Sequence, residues 1–122
     1  MNGNQDALAT ALAYHRAWTG QDLDLAMTYV ADHIVCQAPG GDISGAPSYR
    51  QFLGGFMTRL TGLNMIASFG DARNAVLMYY PQTAAVSDAP AAEWFMVEDG
   101  KIVRTILVFD RLSFAPPAPP GS

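Results

Sequence analysis

The sequence has few of the residues that mark disulfide-rich, membrane-spanning or nucleic-acid-binding proteins. Its 122 residues include one cysteine, Cys36, which excludes an intramolecular disulfide and a cysteine-rich zinc site. No apolar run approaches the roughly 20 residues that a membrane span needs. The seven basic residues are outnumbered by 11 acidic ones and form no cluster, which disfavours nucleic acid as a partner.

Signals for targeting and for cofactors are also absent from the sequence. The N-terminal residues lack the basic flank and apolar core of a secretory signal peptide, so we expect a cytoplasmic protein. No nucleotide fingerprint, phosphate loop or metal constellation occurs, so we expect no cofactor and no metal. The composition, which is 50% hydrophobic, predicts one domain over residues 1–114. A disordered proline-rich tail should follow over residues 115–122.

Hydrophobic periodicity divides the chain into a helical part and a part made of strands. Apolar residues recur at helical spacing over residues 5–19, in a short segment after Asp22 and again after Pro47. Between the second and third helices, residues 33–38 read as a short strand. The period then changes to two, which predicts strands over residues 63–69, 74–83, 91–97 and 102–111. This order predicts an α+β fold with three helices packed on a mainly antiparallel sheet.

The dipeptide Asp99-Gly100 predicts a two-residue type I′ hairpin between the last two strands. The register that follows pairs Val97 with Ile102, Phe95 with Arg104 and Glu93 with Ile106. Neither face of this hairpin is polar throughout, so we expect one face to take the helices and the other to pack on a second copy of the chain. The alternative is burial by a long loop. The side chains assigned to the homodimer contact are Trp94, Met96, Leu107 and Phe109.

Glu93 is the leading candidate for a functional residue. It stands in an apolar strand, where poor solvation disfavours a charged carboxylate and raises the pKa. A neutral carboxylic acid at physiological pH can donate a proton or a hydrogen bond, as an acid–base catalyst must. The alternative is a structural ion pair with Arg104, which would lower the pKa instead.

Other candidates each have a structural alternative. We expect the helices and the sheet to enclose one apolar pocket. Tyr14 could direct its hydroxyl into this pocket or bond a backbone carbonyl in the core. Asp110 could act as a base or pair with Arg111 in solvent. A histidine on a buried helix face, such as His15, is usually packed and satisfied, and Cys36 lacks a base that would activate it. The residues expected to line the pocket are His15, Trp18, Cys36, Ala38, Phe52, Phe56, Met78, Phe95 and Ile106.

Several short motifs follow one another in a fixed order along the chain. They are Tyr14-His15-Arg16-Ala17-Trp18, Asp22-Leu23-Asp24, Tyr29-Val30-Ala31-Asp32, Gly45, Glu93-Trp94-Phe95 and Asp99-Gly100-Lys101-Ile102. Together with the order of elements, these motifs resemble the nuclear transport factor 2-like superfamily and its SnoaL-like, ketosteroid isomerase-like branch over roughly residues 6–114. The resemblance implies a cone-shaped fold with three helices against a curved sheet. Since this fold hosts many reactions, it does not specify one.

The resemblance also implies roles for individual residues. In ketosteroid isomerase a helix tyrosine and a protonated acid form the oxyanion hole; Tyr14 and Glu93 fall at those positions. The implied acid–base group is therefore Glu93, with Tyr14 as its hydrogen-bonding partner. Ala38-Pro39 stands where that enzyme has its Asp base. Limonene epoxide hydrolase, another relative, uses an Asp and an Arg two residues apart on one strand. That pair is missing here, because the residue two positions before Glu93 is Ala91. The implied function is a cofactor-independent isomerase or polyketide cyclase acting on a small hydrophobic carbonyl compound, such as a polyketide-like or steroid-like molecule. The alternative is a non-catalytic ligand-binding or dimeric interaction module with the same pocket.

Overall fold

The structure, a computed structural model, describes residues 6–110. This part of the chain contains three helices and six strands. In chain order they are α1 (Asp6–Thr19), α2 (Leu23–Met27), β1 (Val30–Ala38), β2 (Gly41–Ser44), α3 (Ala46–Met57), β3 (Leu60–Gly70), β4 (Asn74–Thr83), β5 (Ala91–Glu98) and β6 (Lys101–Val108). The tail predicted for residues 115–122 lies outside the described residues.

The six strands form one curved, open sheet in the order β2-β1-β6-β5-β4-β3. All neighbouring pairs are antiparallel except β1 with β6, which is parallel. This confirms the predicted α+β fold of three helices on a mainly antiparallel sheet. Strand β2 was not predicted, because its four residues, Gly-Asp-Ile-Ser, are too few to show a strand period.

The helices cover one face of the sheet, and the core lies between them. Residues of α1 and α3 that recur every three or four positions are buried there, among them Tyr14, Trp18, Tyr49 and Leu53. Helix α1 ends where Gln21 takes a left-handed φ of 69° and the Asp22 N–H bonds the Ala17 carbonyl. This turn directs the chain into α2 and then to β1.

The β5–β6 hairpin has the predicted turn but a different register. Asp99 and Gly100 have φ values of 53° and 74°, as a type I′ turn requires. Val97 pairs with Ile102 as expected, but Met96 then pairs with Arg104, so that one residue of β6 is bypassed. This β-bulge reverses the alternation on the rest of β6.

The bulge exchanges the inward and outward residues of β6. Thr105 and Leu107 face the helices, opposite Phe95 and Glu93. Arg104 pairs with Met96 and is exposed on the outer face. The predicted pairings of Phe95 with Arg104 and of Glu93 with Ile106 are therefore wrong.

The outer face of the sheet, on the side away from the helices, is largely apolar. Its exposed apolar side chains include Phe69, at 69%, and Val108, at 59%, with Val76 and Met78 at 40% each. Trp94 and Met96 lie on this face as predicted. Leu107 instead faces inward, and Phe109 packs against the core, so the predicted dimer surface is wrong in these two residues. No helix among residues 6–110 is long and apolar enough to cross a membrane.

Candidate functional site

The strand β5 places Glu93 in the interior. Burial alternates along β5, with every second residue from Ala91 to Val97 buried, and Glu93 falls on the buried positions. Its backbone neighbours across the sheet are Leu77 on β4 and Leu107 on β6. The Glu93 side chain is only 4% exposed. The period of the strand therefore forces a carboxyl group into apolar surroundings.

Two neutral hydroxyl groups bond the Glu93 carboxyl. The Tyr79 hydroxyl donates to Oε1 from β4, and the Thr105 hydroxyl donates to Oε2 from β6, both at 3.2 Å. Within residues 6–110, no Arg or Lys forms an ion pair with Glu93. Because Arg104 lies exposed on the opposite face, the structural ion pair considered as an alternative does not form.

Burial dominates the acid–base behaviour of Glu93. Loss of solvation raises the pKa of the carboxyl from 4.5 to about 7, against the smaller lowering effect of the hydrogen bonds from Tyr79 and Thr105. At neutral pH both the carboxylate and the carboxylic acid are then populated. A single group in this condition can both accept and donate a proton.

A pair of tyrosines from two helices lies in the same buried cluster. The hydroxyls of Tyr14 on α1 and Tyr49 on α3 are hydrogen-bonded to each other, and the Phe95 ring packs edge-on against Tyr14 at 5.8 Å. Burial raises the pKa of both phenols well above 10, and the negative charge of Glu93 raises them further. Both therefore remain protonated hydrogen-bond donors.

The two hydroxyls that bond Glu93 directly were not predicted from the sequence. Tyr14 was the expected partner of the carboxyl, but Tyr79 holds that place. Tyr79 lies in the segment Met78-Tyr79-Tyr80, where large side chains occupy both faces of the strand. The sequence therefore does not show whether the Tyr79 ring or the Tyr80 ring points inward. The predicted pairing of Phe95 with Arg104 placed the next residue, Thr105, on the opposite face, because it did not include the bulge in β6.

His15 and Cys36, both buried beside this cluster, are not activated for acid–base or nucleophilic chemistry. Burial lowers the pKa of His15 to about 3, so its imidazole stays neutral at physiological pH. Burial and the nearby carboxylates raise the pKa of Cys36 to about 12, which keeps the thiol protonated. The His15 ring packs against Tyr79 with centroids 4.4 Å apart.

The remaining aromatic candidates on the helices lie along one side of the core. Trp18 is buried and packs against the half-buried Phe56, with ring centroids 5.9 Å apart. Phe52 packs against Tyr49 on one side and lines a surface cleft of about 410 Å³ on the other. Ala38, at the end of β1, is half-buried against the core.

Three predicted site residues lie elsewhere. Met78 is 40% exposed on the outer face, because it alternates with the buried Tyr79. Ile106 pairs with Trp94 on the same outer face as a result of the bulge. Asp110 is exposed beyond the end of β6, so it does not bring a second carboxylate to Glu93. These three assignments are wrong.

The fold agrees with the comparison to protein families. Residues 11–105 match the SnoaL-like domain family, and the chain therefore belongs to it. This family lies within the nuclear transport factor 2-like superfamily, as the resemblance in the sequence implied. No curated protein matches the sequence.

Solved structures of other proteins are similar to this chain. A protein of Kribbella flavida is 51% identical, covering 90% of this chain and 91% of its own, with a TM-score of 0.88. A steroid delta-isomerase of Pseudomonas aeruginosa is 19% identical, covering 88% and 82%, with a TM-score of 0.74. An LEH-like epoxide hydrolase of Mycobacterium tuberculosis is 18% identical, covering 90% and 86%, with a TM-score of 0.73. The last two similarities show the fold alone.

Proposed function

We propose that the chain is a cofactor-independent acid–base enzyme of the isomerase or cyclase type, acting on a small hydrophobic carbonyl compound such as a polyketide-like or steroid-like molecule. The observation that carries this proposal is Glu93, a carboxyl group buried among apolar and hydroxyl side chains without a cationic partner, whose pKa is raised to about 7. Perturbed carboxyl groups of this kind are concentrated at functional sites.

Each part of the cluster has a role in the proposed reaction. As a carboxylate, Glu93 removes a proton from the carbon next to the substrate carbonyl, and the C–H electron pair moves into the carbonyl group. Tyr14, held by Tyr49, donates a hydrogen bond to the oxygen where negative charge develops. The protonated Glu93 then returns the proton to a different carbon, which regenerates the carboxylate.

Proton exchange on a simple ketone tests this proposal without knowledge of the natural substrate. In deuterated buffer the protein should accelerate deuterium incorporation next to the carbonyl of β-tetralone, followed by NMR. Glu93→Gln should abolish the acceleration while retaining the fold. Glu98→Gln is the matched control, because Glu98 is exposed and pairs with Arg73 at the surface. Equal rates with Glu93→Gln and the unaltered protein would refute an acid–base role.

A second candidate function is a non-catalytic ligand-binding module. The observation that favours it is the lack of a second activated base among the described side chains near Glu93: Cys36 stays protonated, His15 has a pKa of about 3, and Ala38 carries no titratable group. Such a module would bind β-tetralone without accelerating deuterium exchange. Binding and exchange measured on one sample therefore separate the two functions.

The outer face of the sheet is proposed as the contact between two copies of the chain. Phe69, Val76, Met78 and Val108 belong to an exposed apolar patch that extends over the four neighbouring strands β3 to β6, and it is larger than isolated surface apolar residues would make. The same face can meet its own copy across a two-fold axis. Light scattering at micromolar concentration should give twice the chain mass of 13.1 kDa. Val76→Lys should give the single-chain mass; a single-chain mass for the unaltered protein would contradict this contact.

A further inference from the structure

Two buried polar atoms on α1 lack hydrogen-bond partners. They are Nε2 of His15 and Nε1 of Trp18, and both side chains are only 2% exposed. No other buried side-chain nitrogen or oxygen within residues 6–110 is unpaired. The contrast with the second tryptophan is informative, because the Trp94 Nε1–H donates to Asn74 Oδ1 at 3.3 Å. Buried polar groups are nearly always paired, so two adjacent exceptions call for a partner.

The two rings lie close together on one face of the helix. His15 and Trp18 are three residues apart, which places them on the same side of α1. Their ring centroids are 5.0 Å apart and their planes meet at 77°. Tyr79 borders this place on the His15 side and Phe56 on the Trp18 side. Ring centroids 5.0 Å apart are compatible with one oxygen atom that bonds both nitrogens.

We propose that His15 Nε2 and Trp18 Nε1 together bind an uncharged oxygen function of the ligand, a carbonyl or a hydroxyl, at an anchor separate from Glu93. This deepens the proposed function, since the ligand occupies the same interior. The Tyr79 ring contacts His15, while its hydroxyl bonds Glu93, so the anchor and the carboxyl are joined by one side chain and contact different parts of it. The ligand would therefore carry a second oxygen away from the reacting carbonyl.

The chemistry of the two nitrogens selects the ligand group. The Trp18 indole is a donor only, so the group must have a lone pair. His15 stays neutral at physiological pH and can complete the pair as donor to a carbonyl or as acceptor from a hydroxyl. No cationic side chain takes part, so an anionic group would be buried without compensation.

The two tryptophans provide the test, because their indole N–H signals separate in a proton–nitrogen correlation spectrum. Trp94→Phe assigns the signals and leaves the anchor untouched. The probes are acetophenone, α-methylbenzyl alcohol and ethylbenzene, which share one shape and carry a carbonyl, a hydroxyl and no oxygen. We expect acetophenone or the alcohol to shift the Trp18 signal saturably and to leave the Trp94 signal in place. Ethylbenzene should shift the Trp18 signal far less.

Variants separate this anchor from the proposed catalysis. His15→Leu should weaken binding of the oxygenated probe about five- to tenfold, as expected for one lost hydrogen bond, without changing binding of ethylbenzene. The Trp18 shift should persist in Glu93→Gln, whether or not the unaltered protein exchanges protons on β-tetralone. Equal shifts with all three probes, no shift with any, or unchanged affinity in His15→Leu would overturn the anchor. A crystal structure in which acetophenone is bound elsewhere, while a water molecule bonds His15 Nε2 and Trp18 Nε1, would also overturn the anchor.

Discussion

Replacing Glu93 by Gln should change how stability depends on pH. The folded-state pKa of the carboxyl is about 7 and its ordinary value is 4.5, so the folded chain holds the proton more tightly than the unfolded chain. Glu93 therefore stabilises the fold relative to Gln most at low pH, and this contribution is lost as the pH rises from 4.5 to about 7. At about 1.4 kcal/mol per pH unit, the change is about 3 kcal/mol.

His15 has the opposite effect over much of the same range. Its folded-state pKa of about 3 lies below the ordinary 6.5, so its contribution is complete above pH 6.5 and is lost on acidification. Between pH 4.5 and pH 6.5 the folded chain holds a proton on Glu93 and the unfolded chain holds one on His15. The two contributions nearly cancel there, and the unaltered protein should show little change in stability.

Urea unfolding at a series of pH values tests both contributions. The unaltered protein should give a nearly constant free energy of unfolding between pH 4.5 and pH 6.5. Glu93→Gln should lose stability on acidification across this range, and His15→Leu should gain it. Glu98→Gln, at an exposed surface ion pair, should follow the unaltered curve. If the curves of Glu93→Gln and the unaltered protein remain parallel, Glu93 does not have a raised pKa and the reasoning fails.

Three further predictions concern the groups around the carboxyl. Tyr79→Phe and Thr105→Val should each raise the pKa of Glu93 further, because each removes a hydrogen bond that lowers it; a lowered pKa in an NMR titration would contradict this. Tyr49→Phe should reduce the free energy of unfolding by about 1–3 kcal/mol in urea, since it leaves the buried Tyr14 hydroxyl unpaired. Cys36, with its pKa raised to about 12, should react with a disulfide reagent only after unfolding; rapid labelling of the folded protein would count against its burial.

Local signals in the sequence were sufficient to predict the fold class. The helical spacing of apolar residues located α1 and α3, and Asp99-Gly100 located the last hairpin with its type I′ turn. These features depend on neighbours a few residues apart, which a sequence displays directly. The burial of Glu93 was predictable for the same reason, since its strand neighbours are apolar.

The partners of Glu93 depend on register, and the sequence does not display register. The segment Ile102-Val103-Arg104-Thr105-Ile106-Leu107-Val108 has apolar residues at both parities, so either set could face the core. A bulge of one residue decided between them and placed Thr105 inside and Ile106 outside. Met78 and Tyr79 present the same ambiguity on β4. The wrong assignments of Met78 and Ile106 therefore lie on β4 and β6, where apolar residues at both odd and even positions do not show which side chains face the core.

A titration of the Glu93 side-chain carboxyl carbon by NMR tests the central claim most directly. The chain has only two glutamates, and the spectrum of Glu93→Gln identifies the signal of Glu93. We predict one protonation step with a midpoint near pH 7 in the folded protein. A midpoint at or below the ordinary value of 4.5 would mean that Glu93 is fully ionised at neutral pH, and would contradict its proposed role in proton transfer.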